Sequence, residues 1–127
     1  MKNLLFIPFL FICQMFIGQV NNGEIIGATI KIGIEVAQND FPEFMLWDDA
    51  VKACTDLGNG WRLPTKDELN LIYLKKVKIG GFANKGYWSS SEGANSDAWR
   101  QDFLNGYQSI DDFNKSYFGF VRAVRSF

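Results

Sequence analysis

The chain is predicted to form one α+β domain, and three observations lead there. Residues 26–36 alternate apolar and polar positions, two stretches of helical spacing follow from Trp47 and Thr65, and the remainder reads as short strands divided by turn residues. With 127 residues there is room for one domain. Hydrophobic residues make up 47% and charged residues 21%, the composition of a globular protein with a core.

The first segment is an address rather than part of that domain. Met1-Lys2-Asn3 carries one positive charge, Leu4 to Ile17 is almost wholly apolar with Pro8 and Gln14 as interruptions, and Gly18-Gln19 supplies a small residue and a polar exit. This is the layout of a secretory signal peptide over residues 1–19, which leaves residues 20–127 as the domain. The apolar stretch is shorter than the ~20 residues a membrane span requires. Leu10-Phe11-Ile12-Cys13 has the outline of a lipoprotein box, with Ile12 large where a small residue is expected. Lipidation at Cys13 is therefore the alternative to cleavage at Gly18 or Gln19, and in this reading the only route to a membrane. An exported chain then retains Cys54 alone, forms no internal disulfide, and depends on its core.

In the domain, Ile26, Ala28, Ile30, Ile32, Ile34 and Val36 share one face of a strand, with Gly27, Thr29, Lys31, Gly33 and Glu35 on the other. The strand is long, so a bend at Gly27 or Gly33 is expected. Residues 38–42 form a loop. Trp47, Ala50, Val51, Cys54 and Leu57 then follow helical spacing, Asp48 and Asp49 suit the positive end of the dipole, and Gly58-Asn59-Gly60 ends the helix. Thr65-Lys66-Asp67-Glu68 is a capping box that opens a second helix. Leu69, Ile72 and Tyr73 are its buried stripe, Lys75-Lys76-Val77-Lys78 its cationic end, and Gly80-Gly81 its stop. Tyr87 to Ser91 is a strand, residues 93–96 a turn, and Asp97 to Leu104 a strand with Trp99 and Phe103 at period two. Asn105-Gly106 is a hairpin signal because both residues tolerate positive φ. Tyr107 to Ile110 returns, residues 111–116 loop, and Tyr117 to Arg125, apolar on both sides, is a central last strand.

Several of these residues occur together in a recognisable order: Trp47-x-x-Ala50-x-x-x-Cys54, Trp61-Arg62-Leu63-Pro64-Thr65-x-x-Glu68-Leu69, Tyr87-Trp88-Ser89-Ser90, Ala98-Trp99, and Val121-Arg122-Ala123-Val124-Arg125. The set resembles the Lcl C-terminal domain family, named for the end domain of bacterial collagen-like adhesins, over about residues 24–125. Arg62 to Glu68 and Gly119-Phe120-Val121-Arg122 are more distantly similar to the sulfatase-modifying-factor group. Both resemblances imply a C-type-lectin-like fold, two helices packed on a twisted antiparallel sheet with ligand sites on long loops. Neither chemistry carries over with the fold. The oxidising enzymes of the second group use cysteines near the active site, and here Cys54 occupies a buried helical position. The Glu-Pro-Asn and Trp-Asn-Asp triplets with which sugar-binding lectins hold calcium are absent from the chain.

Composition limits function further. With 13 Lys+Arg against 14 Asp+Glu the net charge is −1, which argues against a nucleic-acid binder. The chain has no His, so Ser-His and Cys-His catalysis and most zinc sites are excluded. Arg62 and Glu68 are expected to anchor and cap a helix, Arg122 to be structurally paired, and Arg125 to face away from it. Cys54 reads as a small buried hydrophobe, and Trp61, Trp88 and Trp99 as core.

Two charge clusters remain. The first is acidic: Glu92, Asp97, Asp102, Asp111 and Asp112, with Arg100 the one base and Asn95, Asn105 and Tyr107 nearby. It offers hard oxygen ligands to calcium without a recognisable calcium motif. The second is Leu74-Lys75-Lys76-Val77-Lys78-Ile79, followed by Lys85, which fits a short pattern for heparin-like polyanions. The ligand-binding candidates are thus Lys75, Lys76, Lys78, Lys85, Asn95, Asp97, Arg100, Asn105, Tyr107, Asp111 and Asp112. The expected function is a secreted or cell-surface, non-enzymatic binding or adhesion module. Its partner would be an extracellular glycan, glycosaminoglycan or protein, and it would need no cofactor. The alternatives are a lipid-tethered structural envelope module and a hydrolase drawing a carboxylate pair from Asp102, Asp111 and Asp112.

Overall fold

The computed structural model describes residues 33–94, 97–110 and 115–127. In chain order the elements are β1 (Ile34–Val36), α1 (Trp47–Asp56), α2 (Lys66–Leu74), α3 (Lys76–Ile79), β2 (Gly86–Glu92), β3 (Ala98–Asp102), β4 (Gln108–Ser109) and β5 (Val124–Ser126). The strands form two antiparallel sheets, one pairing β1 with β5 and one ordered β2-β3-β4. The predicted α+β class, with helices early and antiparallel strands after them, is what the chain adopts.

Of the long strand expected over 26–36, the part within the described residues is β1; residues 26–32 lie outside them. Alternation there assigns Glu35 to the outer face, yet Glu35 is only 7% exposed. Its carboxylate receives Arg125 Nε at 2.7 Å across the β1–β5 ladder, and that partner is what makes its burial tolerable. The helix α1 buries Trp47, Ala50 and Cys54 as its spacing requires, and Gly58, Asn59 and Gly60 all take positive φ beyond its end. Leu57, expected on the buried stripe, is instead exposed at the cap, because the helix stops one residue before it.

At α2 the capping box is complete: Glu68 N donates to Thr65 Oγ1 at 3.2 Å and Thr65 N to Glu68 Oε1 at 2.8 Å. The lysine run does not close this helix, as its pattern suggests. The chain leaves helical geometry at Lys75 (φ −111°, ψ 20°) and re-enters it as the single turn α3. Gly80 (φ 87°) and Gly81 (φ 81°) then stop it.

In β2 the run Ser89-Ser90-Ser91 is a joint rather than plain strand. The β2–β3 register shifts between Trp88 and Glu92. Ser89 Oγ spans the irregularity, donating to Trp99 O at 2.9 Å and accepting from Ser91 N at 3.1 Å. Ser90 N donates to Pro64 O at 2.7 Å, and Lys66 N donates to Ser91 Oγ at 2.9 Å, so the same run holds the start of α2. The β3–β4 connection differs from a two-residue Asn-Gly hairpin. Gly106 alone takes positive φ, and the turn begins at Phe103, which is buried just past the end of β3. Asp102 Oδ1 accepts from Leu104 N at 2.8 Å, the side-chain turn that replaces the tighter one.

The last segment is central, though not a continuous strand. Only Val124–Ser126 is regular strand, while Gly119, Phe120 and Val124 make single bridging pairs with Met45, Tyr87 and Arg62. Between them, Ala37 N donates to Ala123 O, Phe41 N to Val121 O, and Trp88 N to Phe120 O, at 2.9–3.0 Å. Two apolar clusters flank this segment. One gathers Ile34, Val36, Leu69, Ile72, Tyr87, Phe103 and Val124; the other gathers Trp47, Ala50, Cys54, Leu63, Trp88, Ala98, Val121 and Ala123. Among the described residues, both are built from positions between 34 and 124.

Candidate binding surface

The motif residues that stand out in the sequence are occupied inside the fold. Trp47 Nε1 donates to Ser89 O at 2.8 Å, and Trp88 Nε1 to Met45 O at 2.9 Å. Arg62 grips Glu68 with both arms, at 2.8 and 3.0 Å. Burial opposes the Glu68 charge, but the Arg62 and Thr65 hydrogen bonds outweigh it and hold the carboxyl below its ordinary value of 4.5. Arg122 is fully buried against Asp40, Nε to Oδ1 at 2.6 Å. Tyr87 Oη donates to the other Asp40 oxygen at 2.6 Å and accepts from Ala83 N, and burial followed by the Asp40 hydrogen bond raises its pKa. Trp61 and Trp99 are only half-buried, each beneath a cation: Arg125 at 4.8 Å and Lys66 at 3.9 Å from the ring centres. Cys54 is buried in α1, and desolvation pushes its thiol up to about 12.

The candidate binding residues separate into two groups along β3. Asp97 lies at one end, where Gly93 N donates to its carbonyl at 3.0 Å. Asn105 and Tyr107 lie at the other, about five residues or ~17 Å of strand away. Asn95, Asp111 and Asp112 lie outside the described residues. The expected loop site over 95–112 is therefore not one constellation among the residues described. Arg100 does not join it either. Its guanidinium lies 5.4 Å from the Trp88 ring and donates to Phe118 O at 3.0 Å. Burial there lowers its pKa, against the pull of Asp102. Among the described residues no three acidic or cysteine side chains converge as a metal site requires. Asp102, a candidate for the hydrolase pair, is engaged in the β3–β4 turn.

The second group gathers around Phe103. Its amide donates to Lys85 O at 2.9 Å and its carbonyl accepts from Lys76 Nζ. Its ring meets Tyr73 edge-on at 5.4 Å, and Tyr73 also packs where a Cβ on Gly106 would sit. The α2–α3 break, Lys85 and the Phe103–Tyr107 turn are thus one neighbourhood. Within it Lys76 is a structural cation, lying also 4.9 Å from the Tyr73 ring. Lys75 and Lys78 face an open depression whose other walls are Leu74 and Val77. Lys78, Lys85 and Asn105 are exposed. So are Leu74 at 67%, Val77 at 91%, Leu104 at 63% and Tyr107 at 68%. Asn105 Oδ1 accepts from Tyr107 N at 2.9 Å, which shapes the turn.

Sequence reasoning located these lysines with Leu74 and Val77 in the same run, and missed Leu71 and Leu104 beside them. Leu71 offered a signal, since it stands three residues before Leu74 and off the Leu69–Ile72–Tyr73 stripe. Leu104 offered none, because its proximity comes from the Phe103 contacts. A further exposed cluster also escaped, in which Phe44 meets Phe118 edge-on at 6.0 Å and stacks on Phe120 at 5.8 Å.

The model of the Lcl C-terminal domain family matches residues 21–125. No curated protein matches the chain by sequence. Among solved structures it is similar to botrocetin, at 16% identity and a TM-score of 0.54, over 78% of this chain and 95% of that one. It is similar to the complex of botrocetin with a mutant von Willebrand factor A1 domain at 16% identity and a TM-score of 0.53, with the same coverage. The fold is C-type-lectin-like.

Proposed function

The chain belongs to the Lcl C-terminal domain family, and from that membership we propose that it is a non-enzymatic binding module, secreted or held at the cell surface. In this reading Lys75, Lys78 and Lys85 grip a polyanionic partner, with a sulfated or carboxylated glycan chain as the ligand class. One observation carries it: Lys75 and Lys78 line one depression, Lys85 is tied by its carbonyl to Phe103 beside them, none of the three is ion-paired among the described residues, and no acidic residue occurs between Glu68 and Glu92. A local positive field of that kind attracts polyanions even on a chain of net charge −1. The C-type-lectin-like fold supports a second reading, a protein ligand with an acidic face, since the botrocetin neighbour is seen in complex with a protein domain.

The test is retention of residues 20–127 on immobilised heparin across a salt gradient. Wild-type protein is retained at low salt and released as salt rises, and a chelator changes nothing. Replacing Lys75, Lys78 and Lys85 by Ser weakens binding by about tenfold or more with the circular dichroism spectrum intact. Lys76 is left in place because its ammonium holds the Phe103 carbonyl. Retention that survives the triple substitution refutes the lysine patch. Absence of retention in the wild type transfers the case to the protein ligand.

A further inference from the structure

A glycan chain accounts for the lysines and leaves the aliphatic residues between them without a role. Leu74 and Val77 are exposed at 67% and 91%, and they alternate with Lys75 and Lys78 around one open depression. Leu71 extends the apolar row along α2, and Leu104 and Tyr107 stand exposed on the turn joined to α3 through Lys76. Burying such residues in apolar surroundings is favourable, and a sulfated sugar offers little apolar surface to receive them.

We propose that the α2–α3 corner docks on an anionic lipid bilayer, with Leu74 and Val77 entering the boundary between headgroups and acyl chains and Lys75, Lys78 and Lys85 meeting the phosphates. The proposal rests on the polyanion reading of the same lysines and gives them, beside the glycan, a second anionic surface. Three features support it. Aliphatics flanked by lysines are the chemistry of interfacial docking, in which long cationic side chains reach the phosphate level while the apolar tips lie deeper. Tyr107 supplies an amphipathic ring of the type that occupies that level. The corner is also held in shape. Lys76 ties α3 to the Phe103 carbonyl, and the buried Arg122 guanidinium donates to Gly81 O at 2.9 Å and Gly80 O at 3.4 Å just beyond it. The nearest acid on the turn, Asp102, accepts from the Leu104 amide. Among the described residues no helix is long and apolar enough to cross a membrane.

The experiment sediments residues 20–127 with vesicles of phosphatidylcholine and with vesicles of phosphatidylcholine and phosphatidylglycerol, alongside the heparin column. Wild type should bind the anionic vesicles and ignore the neutral ones. The double variant Leu74→Ser, Val77→Ser changes only exposed positions. It should lose roughly tenfold or more in vesicle binding while its heparin retention stays unchanged. Each lysine removed should weaken vesicle binding about fivefold. Heparin retention with no preference for anionic vesicles overturns the lipid proposal and leaves the polyanion reading standing. Vesicle binding that is indifferent to the double variant overturns insertion of the aliphatics. Failure on both surfaces overturns both readings.

Discussion

Arg122 carries a permanent charge into the interior, and its guanidinium meets a carboxylate, backbone carbonyls and one aromatic ring there. Asp40 takes Nε, the carbonyls of Ala37 and Gly81 accept at 3.0 and 2.9 Å, and the Phe82 ring lies 3.8 Å away. Removing the cation alone leaves Asp40 beside Tyr87 without its counter-charge, so Arg122→Leu should cost about 3 kcal/mol or more, read as a lower urea midpoint. That Arg122 is structurally paired rather than sharing a site with Arg125 was legible from the opposite faces the two take on one strand. Its partner was not, since Asp40 lies 82 residues away and no local spacing records such a pair. The same contrast holds at Glu35, whose alternation places it outside and whose buried position follows from Arg125.

At the scale of elements, α2 was legible because its start is encoded within four residues. Thr65 and Glu68 satisfy each other's amides, and Arg62 then fixes the free side of the carboxylate. This arrangement has a pH signature. The folded pKa of Glu68 lies below its ordinary 4.5, so its stabilisation is fully present above that value and is lost as pH falls through it toward the depressed one. Unfolding midpoints measured across that window should decline in the wild type. Glu68→Gln should start lower at neutral pH and decline less. The other end of α2 was not legible. Lysines and valine at 75–78 give no stop signal such as Gly or Pro, and the break at Lys75 goes with the pull of the Phe103 carbonyl on Lys76 from a distant turn. The hairpin after β3 was half legible: Gly106 is used as its type suggests, while the Asp102 side chain sets a longer turn than Asn-Gly alone specifies.

The whole molecule depends on two apolar clusters that share one closing segment. Cys54 sits in the second, fully buried, with its thiol pushed up to about 12. Native protein should therefore resist alkylation at Cys54, and the labelling rate should follow global unfolding in urea; rapid labelling without denaturant would contradict that packing. The α+β class was legible from periodicity because it depends on patterns within elements. The two-sheet arrangement and the threading of residues 119–126 were not, because they depend on single bridges between remote segments. Leu104 escaped for the same reason, since it reaches the lysine run only through the contact of Phe103 with Lys76. The threading also bears on the order in which the molecule is made. Val121 and Ala123 complete one cluster and Val124 the other, so neither can close before residues 121–124 have been synthesised. A ribosome-bound chain of this topology stays open until then, and a chain still open can enter a narrow pore end first without having to be unfolded.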